Sequence, residues 1–111
     1  MLILSSEQLK LLNQIPFNHF VKEMKKSIME NLDIEEDIDL IQLKELINKI
    51  GEQFYITNEE KIEDYLICYF YYPIMRQNPL PEVIDTLLRS KTVKQDMKMD
   101  ELLQILITDN Y

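Results

Sequence analysis

Glycine, cysteine, histidine and tryptophan are almost missing from this sequence: 111 residues contain one Gly, one Cys, one His and no Trp. One glycine and four prolines supply too few turn formers for a many-stranded sandwich or barrel. No glycine-rich loop is available to cradle a phosphate. A lone cysteine excludes an intramolecular disulfide and a thiolate zinc site, and with a single histidine most metal constellations go as well. Basic residues are also scarce: 12 Lys and Arg stand against 20 Asp and Glu, a net charge of −8. Sequence-independent binding to a phosphate backbone needs the opposite balance.

No apolar run reaches the roughly 18–20 residues that cross a bilayer. The longest, Tyr65–Met75, is rich in tyrosine and contains Pro73. The opening, MLILSSEQLK, has only a four-residue apolar stub without a basic region, so it does not read as a signal peptide. A reduced, cytoplasmic setting without membrane contact is expected, and the lone thiol fits it.

What is present is helical periodicity in a chain that is 46% hydrophobic and 29% charged, a globular composition. Ser5 with Gln8 suggests a capping box, and Leu9 and Leu12 share a face. Pro16 predicts a kink or a break, because its ring would clash with the Leu12 carbonyl. Phe17, Phe20, Val21, Met24 and Ile28 then form an i, i+3, i+4, i+7, i+11 stripe. Residues 30–39, ENLDIEEDID, read as an acidic connection. Asp39 with Gln42 reads as the next cap, Leu43, Leu46, Ile47 and Ile50 as the next stripe, and Gly51 as its end.

Thr57 with Glu60 predicts a further capping box. The helix after it is apolar nearly all round, through Ile62, Tyr65, Leu66, Ile67, Cys68, Tyr69, Phe70, Tyr71 and Tyr72, which suggests a central, buried element. Pro73 closes that helix or begins a turn, and Asn78–Pro81 is a loop with Pro81 at a first helical position. Val83, Ile84, Leu87 and Leu88 give a short amphipathic helix. Met99, Leu102, Leu103 and Leu106 give the last, capped by Thr92 or Asp100. The expected fold is all-α: one domain over residues 1–111, an irregular or orthogonal bundle of five to six helices.

The chemistry-bearing residues are few. His19 and Cys68 alone could supply imidazole or thiolate, and packing or plain surface roles suit both better than a catalytic pair. The acids Asp33, Glu35, Glu36 and Asp37 invite a calcium reading. An EF-hand loop from Asp33 would need Gly at its sixth position and Glu at its twelfth, where this chain has Ile38 and Lys44. A solvated turn, or an acidic face for a basic partner, is the better account. Paired carboxylates for hydrolysis are not specified, and a bundle of this size is expected to hold little room for a deep cleft. Arg89, Lys91, Lys94 and Lys98 form the one basic stretch near the end. The surplus tyrosines, with Met75 and Arg76 beside them, match interface composition.

Two stretches carry a resemblance. LSSEQLKLLNQIPFNHFVKEMKKSI leads into a long Phe-studded helix, and FYITNEEKIEDYLICYFYYP enters a Tyr/Leu-rich one. Together they resemble a group of small helical bacterial proteins encoded beside the spike, adaptor and toxin genes of type VI secretion and related contractile injection systems. The chain departs from that group at Pro73, where its members have Gly, and at Ile84, where they often have an aromatic. The resemblance implies a stoichiometric binder of a secreted effector or toxin, as immunity protein or loading accessory. It carries over no functional residue.

The resulting expectation is a non-enzymatic accessory with no cofactor and no metal. Its contact surface would comprise Tyr71, Tyr72, Met75, Arg76, Asp33, Glu35, Glu36 and Asp37. The alternatives are a regulatory or nucleic-acid-associated domain using Arg89, Lys91, Lys94 and Lys98, and a small carboxylate enzyme. Exposed aromatics would also fit a homodimer.

Overall fold

The computed structural model describes residues 6–35 and 37–109, with side chains from Phe17 onward. The described residues form five α-helices and one 3-10 turn: α1 (Ser6–Leu32), α2 (Leu40–Phe54), α3 (Glu59–Tyr71), the turn Pro73–Arg76, α4 (Glu82–Arg89) and α5 (Gln95–Thr108). No strand occurs among them, in line with the all-α expectation. No described helix is long and apolar enough to cross a membrane.

The helix α3 holds the middle, packing against α1, the 3-10 turn and α5, while α2 packs on α1 and α4, and α4 on α5. The stripes read from the sequence supply the core. Val21 and Ile28 of α1, Ile50 of α2, Leu66 of α3, Ile84 and Leu88 of α4, and Leu102 and Leu106 of α5 have no exposed surface. Each such side chain contributes about 1.5–3 kcal/mol by leaving water. A hydrogen bond of 2.7 Å from the Ser27 hydroxyl to Glu63 Oε1 adds a polar tie between α1 and α3.

Helix ends depart from the local expectations in instructive ways. The helix α1 runs without a break through Pro16. Proline removes one amide hydrogen, and a long helix tolerates that loss where the flanking turns hold. The Ser5 cap and the Leu9–Leu12 face lie outside the residues and side chains described. The helix α1 ends on Asp33 at φ 51°, with Ile34 N–H donating back to the Met29 carbonyl at 3.2 Å. This is a left-handed C-terminal cap, tolerated by Asp.

Asp39 caps α2 as expected, accepting from the N–H groups of Ile41 and Gln42 at 2.8 and 3.3 Å. Gly51, however, does not end that helix. The helix continues to Phe54, and Tyr55 takes the left-handed conformation at φ 57°. The cap of α3 is Asn58 rather than Thr57; its side chain accepts from the N–H groups of Glu60 and Lys61 at 3.0 and 3.3 Å. The N–H groups of Thr57 and Asn58 go instead to the Gln95 side-chain carbonyl, both at 2.9 Å. That contact ties the start of α3 to the start of α5, which a local reading cannot see. Pro81 stands at the cap of α4, one place before its first residue. Neither Thr92 nor Asp100 caps α5; the residue at that cap is Lys94, with no side-chain bond. The Ser90 hydroxyl accepts from the N–H groups of Thr92 and Val93, both at 3.3 Å, and shapes the preceding turn.

Candidate functional site

Two adjoining hollows share Leu46, Tyr69 and Arg76. The first is a cleft of about 310 Å³ between the acidic connection, α2 and the end of α3. Asp37, Asp39 and Arg76 supply its charged lining, and Leu43, Leu46 and Phe70 part of its apolar lining. The second is a cavity of about 520 Å³ walled by α2, α3, the 3-10 turn, the Asn78–Leu80 loop and α4. The bundle therefore has more hollow space than its length suggested, bordered by residues of α2, α3, the proline loop and α4.

Arg76 is the shared edge. Pro73 opens the 3-10 turn at its first position and turns the chain back on α3. One guanidinium nitrogen, Nη1, then donates to the carbonyls of Tyr69 and Phe70 at 2.8 and 2.9 Å. Those carbonyls lie in the last turn of α3, where acceptors lack intrahelical partners and the dipole favours a cation. The side chain is thereby fixed in place while remaining exposed.

The acidic connection is pinned by two kinds of contact. Ile38 is buried, 8% exposed, and Lys25 Nζ lies 2.6 Å from Asp37 Oδ1. Asp33, Glu35 and Asp37 are exposed, and Glu36 lies outside the described residues. On α3, Tyr71 is 64% exposed and meets the half-buried Tyr72 edge-on, centroids 4.8 Å apart. Met75 is a correction to the expected contact surface. It is 2% exposed, because the 3-10 turn directs it into the core. The structure thus brings Asp37 and Arg76 to one cleft and removes Met75 from any surface.

The basic stretch does not form one patch. Lys98 is fully buried, and its ammonium donates to the carbonyls of Phe54, Leu88 and Ser90 at 2.7, 2.9 and 2.9 Å. Burial draws its pKa below the ordinary lysine value. Lys91 Nζ lies 5.8 Å from the Tyr55 ring centroid, and Arg89 Nε donates to Asp85 Oδ1 at 2.9 Å. Phosphate contact by all four residues together is therefore not available.

His19 and Cys68 are not brought together. His19 faces solvent on α1, its Nε2 3.6 Å from Glu23 Oε1. Cys68 is buried on α3, and burial, reinforced by the Asp64 charge, raises its thiol pKa to about 11. Among the described residues no group of three or more His, Cys, Asp or Glu side chains is placed to hold a metal ion.

Sequence reasoning missed Lys49, Glu82 and Asp85 as cavity residues, and placed Arg89 in a different cluster. Glu82, Asp85 and Arg89 share α4 at helical spacing, but Lys49 comes from α2 and Arg76 from the 3-10 turn, so no motif could have announced their meeting. Compared with protein-family models, with curated proteins and with solved structures, the chain matches none.

Proposed function

We propose that this protein is a non-enzymatic binding protein whose partner seats in the cleft between the acidic connection and the end of α3. The observation that supports the reading is that Asp37, Asp39 and Arg76 line one small cleft together with Leu43, Leu46 and Phe70. Tyr71 stands exposed at the end of the same helix. A mixed apolar and charged lining with a nearby exposed tyrosine is the composition of a contact patch. The net charge of −8 suits a basic partner surface, since complementary charge speeds encounter and disfavours wrong partners. In the setting implied by the resemblance to secretion-associated proteins, that partner is a secreted effector or toxin, met in the cytoplasm before export.

The test is a pull-down of the tagged full chain from its native host, compared with the double variant Asp37→Lys, Tyr71→Ala. A stoichiometric partner retained by the native chain and lost by the variant supports the reading. A native chain that elutes alone, or a partner held equally by both, overturns it. A toxicity assay with the captured partner then separates immunity from escort.

A further inference from the structure

The second hollow differs from the cleft in charge. The chain has 12 cationic side chains in all, and three of them, Lys49, Arg76 and Arg89, line this one cavity from α2, the 3-10 turn and α4. Only two carboxylates, Glu82 and Asp85, accompany them. In a molecule of net charge −8, the cavity is a positive spot.

Its cations are held in position. Lys49 Nζ and Arg89 Cζ each lie 5.7 Å from the centroid of the Phe54 ring, which draws both toward one wall. Asp85 holds Arg89 through Nε, leaving the outer edge of that guanidinium. Arg76 spends Nη1 on the end of α3, and its other nitrogens remain donors. The remaining walls are mixed: Gln77 and Asn78 are polar, and half-buried Leu46, Tyr69 and Leu80 supply the accessible apolar surface, with Tyr65 and Met75 buried behind them. The volume of about 520 Å³ falls in the range of small-molecule sites, roughly 300–1,000 Å³.

We propose that this cavity binds a small aromatic carboxylate, its ring against the half-buried Tyr69 and Leu80 and its charge among Lys49, Arg76 and Arg89. Three cations against two carboxylates leave one unit of positive charge, which a singly charged ligand neutralises. A phosphate dianion would overshoot and would meet Glu82 and Asp85. The cavity adjoins the protein-binding cleft through Arg76, but the inference does not depend on what seats there.

The experiment is a titration of the full chain with phenylacetate, followed by amide and side-chain chemical shifts, with phenylacetamide and phenyl phosphate as comparisons. Saturable shifts at Tyr69, Arg76 and the residues of α4 are expected with phenylacetate and not with phenylacetamide. Lys49→Gln, an exposed position on the rim, is expected to weaken binding about tenfold, as the loss of one charged hydrogen bond does. Lys49→Met, which keeps the stem, should match it, and both should melt with the native protein. Absence of saturable shifts, or binding indifferent to both variants, overturns the site. Phenyl phosphate binding tighter than phenylacetate overturns the choice of a monoanion.

Discussion

The ammonium of Lys98 donates to the main-chain carbonyl of Phe54 at 2.7 Å, a contact between residues 44 positions apart. Phe54 is the last residue of α2, and the other two acceptors, Leu88 and Ser90, belong to the end of α4. One buried cation therefore satisfies the open carbonyl ends of two helices, both of which carry partial negative charge. The Tyr55 ring, 5.6 Å from the same nitrogen, covers it. This grip joins α2, α4 and α5, and it sets the α4 wall of the cavity against α2.

Removing that cation should be costly. Lys98→Met keeps most of the volume but leaves three carbonyls without their donor, two of them in fully buried contacts. Stranded buried acceptors cost about 1–3 kcal/mol each where water cannot reach them. A loss of about 3 kcal/mol is expected, read as a lower urea midpoint at unchanged slope. An unchanged midpoint would mean that the ammonium merely fills space.

The same contact explains what could and could not be read from the sequence. The stripes from Phe17 to Ile28 and from Leu43 to Ile50 were legible because burial follows the helical period, and Val21, Ile28, Leu43 and Ile50 are indeed buried. The end of α2 was not legible. Gly51 carries the local signal for a helix stop, yet the actual stop is set from α5 by Lys98, and Tyr55 bears the left-handed turn. At the start of α3 the local cap falls one residue later than expected, on Asn58, and the Gln95 carbonyl of α5 accepts from the N–H groups of Thr57 and Asn58. Met75 looked like a surface residue beside Arg76 because a 3-10 turn changes which neighbours share a face. The end of α2 and the entry to α3 escape a local reading because Lys98 and Gln95 of α5 reach them from afar.

Gly51 within α2 gives a second prediction. A Cβ built at this position would meet nothing closer than the Ile56 carbonyl oxygen at 3.9 Å, an ordinary contact. Alanine there removes the entropic penalty of a mid-helix glycine, about 0.8–1 kcal/mol. Gly51→Ala should therefore raise the melting temperature by a few degrees. A lower one would show that the helix needs freedom at this point.

Asp64 offers a pH-dependent test. Burial, with Glu60 and Glu63 nearby, raises its pKa above 3.8, and Lys61 at 3.8 Å only partly opposes that. With the folded value above the unfolded one, this group's contribution to stability is fully present below pH 3.8 and is lost as pH rises through the folded value. Asp64→Asn should match the native protein in stability under acid conditions and exceed it at neutral pH. Paired urea titrations across the carboxylate range check the sign. A variant less stable at neutral pH would mean that the Lys61 pair outweighs burial.

Cys68 tests the interior of α3 from another direction. Its thiol is buried, and burial, followed by the Asp64 charge, moves its pKa from 9.0 to about 11. Disulfide-forming reagents attack the thiolate, so at pH 8 the shift alone lowers the reactive fraction about a hundredfold. Access lowers the rate further, because the reagent must wait for a local opening. The native protein should react with an aromatic disulfide reagent at least about a hundredfold more slowly than the urea-unfolded chain. Asp64→Asn supplies the internal control: it removes the charge that adds to the shift while leaving the packing in place, so it should lower the thiol pKa and leave the burial of Cys68 unchanged. Equal rates in the native and unfolded protein would place Cys68 at the surface and take α3 out of the centre of the bundle.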